Sequence, residues 1–167
     1  MAAEPSPSVA DLAELLLGQL RFLRQTLLDK LDGLPEDDLR GSRLPSGWSP
    51  LELLRHLVHV ERRWVVWGFL GVQVPDPWGD DDPATGHWVL APEDTLAGLE
   101  AALTAGAART EEVVADHWLS DRGRLGGRFE DGAPTLGWIL LHLVQEFARH
   151  VGHLDIAREL VDGSVGE

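Results

Sequence analysis

The sequence predicts an all-α protein built as a four-helix bundle. Four stretches of about 20 to 28 residues carry apolar side chains at helical spacing within a chain of 167 residues. No stretch shows the alternating pattern of a strand, and no internal repeat is present. Helices of this length in one small chain are typical of a bundle, and we expect a single domain over residues 1–167.

The first predicted helix spans about 9–32. Ser8 followed by Asp11 resembles a capping start, and Gly33 with Pro35 should end the helix. Leucines spaced by four and three residues form one apolar face; they are Leu12, Leu16, Leu20, Leu23, Leu27 and Leu31.

The second predicted helix spans about 48–70. Ser49 suits the N-cap, Pro50 the first helical position, and Glu52 can complete a capping box. The connection that follows is long, polar and rich in proline and glycine, with three consecutive aspartates at residues 80–82. It is long enough to cross the bundle again.

The third and fourth helices are predicted over about 92–118 and 134–161. Gly163 is the expected terminator of the fourth helix. The first connection is short, so helices one and two should be antiparallel neighbours. The long second connection lets helices two and three run parallel, which gives an up-down-down-up topology.

Composition excludes several classes of function. The chain contains no cysteine, so disulfides, thiolate metal sites and a cysteine nucleophile are excluded. A net charge of −14 argues against nucleic-acid binding. No segment has the roughly 20 apolar residues of a membrane span, and the N-terminus lacks signal-peptide features. We therefore expect a cytoplasmic protein that acts on a small molecule.

Histidine and glutamate on the core face of the fourth helix suggest a metal site. At 100° per residue, His150 points along the middle of the apolar face and Glu146 lies about 40° from it. A glutamate among core leucines is costly unless it is paired or bound to a cation. On the second helix, His56 lies at the inner edge of the apolar stripe and can reach the interior.

These three residues, His56, Glu146 and His150, are the predicted metal ligands. Two imidazoles and one carboxylate suit Zn²⁺, Ni²⁺, Mn²⁺ or Fe²⁺. Three protein ligands leave coordination positions for water or substrate, which is typical of a catalytic metal.

The other polar residues have less specific expectations. His142 and His153 lie at the edge of the core face, as supporting groups or substitute ligands. His59 is expected toward solvent, and His87 and His117 have no predicted role. Solvated positions are predicted for two charged groups: Glu61, Arg62 and Arg63 on the second helix, and Arg122, Arg124 and Arg128 in the glycine-rich loop before the fourth.

Two blocks of sequence resemble a known family. Residues 47–64 read GWSPLELLRHLVHVERRW and residues 141–159 read LHLVQEFARHVGHLDIARE. They resemble the DinB superfamily of metal-binding four-helix bundles and, within it, the DUF664 (mini-circle protein-like) branch. The blocks cover a little over a fifth of the chain.

The resemblance implies an up-down-down-up bundle, often a homodimer. It also implies a divalent metal held by one residue of helix two and two residues, four apart, on helix four. Most members have two histidines there, whereas this chain has Glu146 and His150. That set is similar to the mycothiol-dependent maleylpyruvate isomerase relatives, in which His, Glu and His bind zinc.

Some relatives are S-transferases or isomerases that use a low-molecular-weight thiol such as mycothiol or bacillithiol. We therefore predict a metal-dependent, thiol-dependent S-transferase or isomerase acting on a small electrophile, in which His153, His142 or His59 supports the chemistry. The alternatives are a non-catalytic metal-binding or stress-response protein, and a bundle with no metal that acts only through dimerisation.

Overall fold

The computed structural model describes residues 3–166, and the fold is all-α as predicted. Its helices are α1 (Leu12–Leu31), α2 (Glu36–Arg40), α3 (Pro50–Arg62), α4 (Leu96–Asp116) and α5 (Leu136–Asp162). A π-helical segment, Arg63–Phe69, continues α3. Between residues 3 and 166 the extended pairings are two isolated bridges, Asp81 with Trp88 and Arg122 with Thr135.

Helix starts follow capping chemistry. Ser49 and Glu52 form the predicted capping box at α3. Thr135 caps α5, and Gly163 ends it in the left-handed conformation at φ 78°. The expected cap at Ser8 is wrong, because the Asp11 carboxylate accepts the backbone N–H of Glu14 at 2.8 Å and α1 begins at Leu12.

Two further differences concern short segments. The five-residue α2 was not predicted, because so short a helix carries no periodicity. Helix α4 begins at Leu96 rather than near Pro92, since the Thr95 side chain accepts the N–H of Gly98. Residues 92 and 93, where the helix was expected to begin, form a turn.

The core lies between the long helices. Helix α1 packs mainly on α5, and α3 packs on both α4 and α5. Leucines of the predicted α1 stripe are buried with Leu57 of α3 and Phe147 of α5; Leu12 is the exception and is exposed. No helix within the described part of the chain is apolar enough over sufficient length to cross a membrane.

The predicted solvated face of α3 is covered. Glu61 is buried against α1 and α4, where it pairs with Arg24 and accepts a hydrogen bond from Thr110. Arg63 is buried on the other side, where it pairs with Asp80. The expectation for these two residues is wrong because each meets an opposite charge from another element, which periodicity within one helix does not reveal.

The long connection over residues 71–95 lies along α3. Arg55 pairs with Asp94 at 2.7 Å and donates to the Val89 carbonyl at 2.8 Å. Arg62 donates to the Asp76 carbonyl at 2.8 Å. The basic face of α3 thus fixes an acidic loop, which carries Asp80 and Trp88 to the histidines.

Candidate metal centre

The structure brings the three predicted ligands together. His56 on α3 faces Glu146 and His150 on α5, and one potential ligand atom from each lies within 4.8 Å of the others. His150 Nε2 is 3.4 Å from Glu146 Oε2. The four-residue spacing on α5 places both heads on one face, so two helices are enough to converge three ligands.

His150 has the environment of a ligand nitrogen. It is 6% exposed, and its buried Nδ1 has no hydrogen-bond partner within residues 3–166. Burial, aided by His56, His153 and Arg149, lowers the pKa of His150 to about 3. The ring is therefore neutral at physiological pH, and its lone pair need not displace a proton to bind a metal. These residues fit a divalent ion.

His56 is oriented by a carboxylate. Its Nδ1 lies 2.9 Å from Asp80 Oδ2, which leaves Nε2 for the site. The ring also stacks on Trp88, with centroids 4.2 Å apart and planes at 21°. A carboxylate that holds the far nitrogen of a ligand histidine fixes its tautomer and increases its basicity.

Asp80 contacts the candidate site, and sequence reasoning missed it. It is fully buried and contacts His56, His59 and Arg63, which lie on one face of α3 and its π-helical continuation. Burial raises the pKa of Asp80, but hydrogen bonds from His56 and Arg63 outweigh burial and hold the pKa at about 2. The run of aspartates was visible in the sequence, but it indicated only a polar turn.

His59 was expected to face solvent, and this expectation is wrong. Its side chain is 13% exposed and Nδ1 lies 3.3 Å from Asp80 Oδ1. The connection over residues 71–95 covers this face of α3, which the helix alone could not predict. Burial lowers the pKa of His59 to about 4, although the Asp80 charge acts in the opposite direction.

His142 and His153 flank the three ligands. His142 Nε2 is 3.4 Å from Glu146 Oε1, and its ring stacks on Trp138 at 5.1 Å with planes at 7°. Burial lowers the pKa of His142. The His153 ring is 5.3 Å from that of His150. Neither belongs to the group of atoms within 4.8 Å, so both stand as neighbours of that group.

A second group, His56, Asp80 and Asp81, also has potential ligand atoms within 4.8 Å of one another. The Arg63 guanidinium already bonds to Asp80 there. A cation would have to compete with that fixed positive charge. The group of His56, Glu146 and His150 has no such charge bonded to it and is the better candidate.

An open cleft lies next to Trp88, which contacts two of the three ligands. Its volume is about 240 Å³, and it is lined by Trp48, Trp88, His87 and the segments 46–47 and 86. Trp88 contacts both His56 and His150, while Trp48 lies 6.0 Å from the His153 ring. A larger cavity of about 600 Å³ lies between the start of α1 and the end of α4, away from these residues. We assign the smaller cleft to the site because two of its lining residues, Trp48 and Trp88, contact the histidines of the site.

In this all-α fold, a carboxylate and two imidazoles from two helices form a group that could hold a metal ion. The chain belongs to the mycothiol-S-transferase family, whose model matches residues 15–163. This is a DinB-like family, so the predicted superfamily is confirmed. A comparison with curated proteins gave no match. Family membership indicates an activity like mycothiol-dependent S-transfer.

Proposed function

We propose that the protein is a metal-dependent S-transferase that joins mycothiol to a small electrophile. The proposal depends on one observation: His56, Glu146 and His150 offer ligand atoms within 4.8 Å of one another. Trp88, which contacts both histidines, lines an open cleft. Zinc is the proposed ion, because two histidines and one glutamate form a known catalytic zinc set. The four long helices would form the up-down-down-up bundle.

When bound, a divalent ion supplies Lewis-acid chemistry that lowers the pKa of a thiol to near neutrality. His56, Glu146 and His150 would hold the ion. Asp80 fixes the His56 ring, and Trp88 covers that ring from water.

We assign the role of proton acceptor to His153, whose ring lies 6.0 Å from that of the cleft residue Trp48. His153 is exposed beside Trp48 and adjoins His150, so it is placed to take the proton that the thiol loses. The sulfur then forms a bond to the electrophilic carbon. A leaving group departs with its electron pair or, in an addition, the displaced π electrons take up the proton.

The arrangement favours an enzyme over a metal store. A store predicts a closed shell with a fourth protein ligand, from His153 or His59. Neither belongs to the group within 4.8 Å in the described chain, so an ion held by His56, Glu146 and His150 would keep coordination positions for a substrate. The thiol cofactor must be reduced, which fits the cytoplasm. We also propose a homodimer, which light scattering would test.

Metal content tests the site. Purified wild type should contain about one equivalent of metal, and Glu146→Ala and His150→Ala should lose it. His117→Gln is the matched control, since His117 bonds the Val113 carbonyl at the far end of α4. Zinc at 100 times its Kd should stabilise wild type by about 2.7 kcal/mol, which raises the Tm by roughly 5–10 °C. Unchanged metal content in both ligand variants would make the assignment wrong.

Thiol consumption tests the activity. Wild type with zinc, mycothiol and an electrophile such as 1-chloro-2,4-dinitrobenzene should form the thioether, and a chelator should abolish the reaction. His117→Gln should retain it. Stoichiometric metal without any thioether would support the store instead.

A further inference from the structure

The loop before α5 contains a cation, Arg128, that is unpaired within residues 3–166. The Arg128 guanidinium forms no hydrogen bond or ion pair with any residue between 3 and 166, and its buried Nη1 has no partner. Glu130 and Asp131 follow closely in sequence, yet neither pairs with it. The predicted solvated position of Arg128 is wrong, because the residue is half-buried.

Aromatic rings hold Arg128 in place. Its Cζ lies 3.8 Å from the Trp64 ring centroid and 5.4 Å from that of Trp78. Stacking fixes the plane of a guanidinium but satisfies none of its N–H donors. The N–H donors at Nε and Nη2, which form one edge of the guanidinium, therefore have no acceptor in the described chain.

Arg128 is connected to the ligand Glu146 through two intermediate residues, Trp64 and His142. The Trp64 ring that carries Arg128 lies 4.5 Å from the His142 ring, and His142 contacts Glu146. Trp138 is 49% exposed and stacks on the His142 ring. We call Trp64, Trp78, Arg128, Trp138 and His142 the Arg128 shelf. None of these residues lines the cleft at Trp48 and Trp88.

We propose that the Arg128 shelf binds the carboxylate of a flat, unsaturated electrophile. A guanidinium edge matches a carboxylate with two parallel hydrogen bonds, and the exposed indole offers a face for a planar carbon skeleton. A half-buried arginine without a counter-ion among residues 3–166 is a local positive charge that favours an anion, even in a chain with a net charge of −14. The proposal rests on the proposed function and assigns the second reactant to this side of the site.

Binding to the metal-free protein tests the shelf without relying on the metal. The probes are benzoate and its neutral isostere benzamide, followed through the tryptophan indole N–H signals by NMR. Benzoate should bind wild type, and Arg128→Gln should weaken it roughly tenfold or more. Arg124→Gln is the matched control, since Arg124 is an exposed, unpaired arginine of the same loop. Neither substitution should change the affinity of the protein for benzamide.

Two results would overturn the shelf: equal affinity of wild type for benzoate and benzamide, or equal loss of benzoate binding in both variants. Should Arg128→Gln fail to fold by circular dichroism, Arg128→Lys takes its place. Lysine keeps the charge but loses the fork, so benzoate binding should fall while charge selection over benzamide persists. Loss of metal binding in the earlier experiment would leave these results unaffected.

Kinetic measurements on the zinc-loaded protein test whether Arg128 contacts the electrophile or mycothiol. Mycothiol is paired with 4-chloro-3,5-dinitrobenzoate or with neutral 1-chloro-2,4-dinitrobenzene; sulfur bonds to the ring carbon and chloride leaves with the bonding electrons. Arg128→Gln should raise the KM of the carboxylated electrophile alone by roughly tenfold. A raised KM for mycothiol with both electrophiles would assign the shelf to the thiol and overturn the proposal.

Discussion

Asp80 and His56 form a carboxylate–imidazole pair 2.9 Å apart, in which a loop residue sets the orientation of a helix residue. The same carboxylate bonds Arg63 and lies 3.3 Å from His59. The buried Asp80 side chain thus joins the connection over residues 71–95 to one face of α3 and its π-helical continuation. The orientation of a predicted metal ligand depends on this loop.

Asp80→Asn should weaken zinc binding roughly 10- to 100-fold, because the amide no longer fixes the tautomer of His56 or increases its basicity. Competition with a chelating dye would measure the Kd, with circular dichroism to verify folding. Asp81→Asn is the control and should bind zinc like wild type. Equal losses in both variants would instead locate the ion at His56, Asp80 and Asp81.

Glu61→Gln should destabilise the fold by roughly 3–5 kcal/mol, because it leaves the buried charge of Arg24 without its counter-ion. Urea unfolding monitored by circular dichroism would give the free energy. The exposed pair of Arg109 and Glu112 provides the comparison, and Glu112→Gln should cost under about 1 kcal/mol. Similar small losses for both variants would contradict the buried pair.

The metal-free protein should lose stability as the pH falls from about 6.5 toward 4. Burial lowers the pKa of His59 from 6.5 to about 4, so the unfolded chain binds this proton first. The contribution is therefore complete above pH 6.5 and disappears as the pH falls through 4; after solvent screening it is ~1–2 kcal/mol. Urea unfolding across this range should be less pH-dependent in His59→Gln, and an identical slope would rule out this cause.

Trp88→Leu should raise the KM for mycothiol while metal content stays at the wild-type value. The indole lines the cleft and covers His56, but it offers no ligand atom. Trp118→Leu is the control, since Trp118 is 80% exposed and remote from the cleft. A KM that changes equally in both variants would exclude Trp88 from thiol binding.

The sequence was sufficient for features that one helix determines. The spacing of Glu146 and His150 and the wheel position of His56 placed all three on facing surfaces, and capping residues located the start of α3 and the end of α5. Features that depend on contacts between distant elements were missed. Asp80 orients His56 from 24 residues away, and Glu61 meets Arg24 across 37 residues. Neither pairing has a periodicity that could reveal it.

The π-helical segment after α3 has a consequence for the rest of the chain. A π-turn contains one residue more than an α-turn, and the Leu70 N–H reaches the Val65 carbonyl across it at 3.0 Å. Deleting one residue here would let an ordinary α-helix continue, with His56 and His59 unmoved. Everything downstream would then change its rotational phase, so Phe69 would leave the core and the following chain would set out in another direction. The one additional residue in the π-turn therefore determines the direction in which the chain leaves this helix, and with it the position of Asp80.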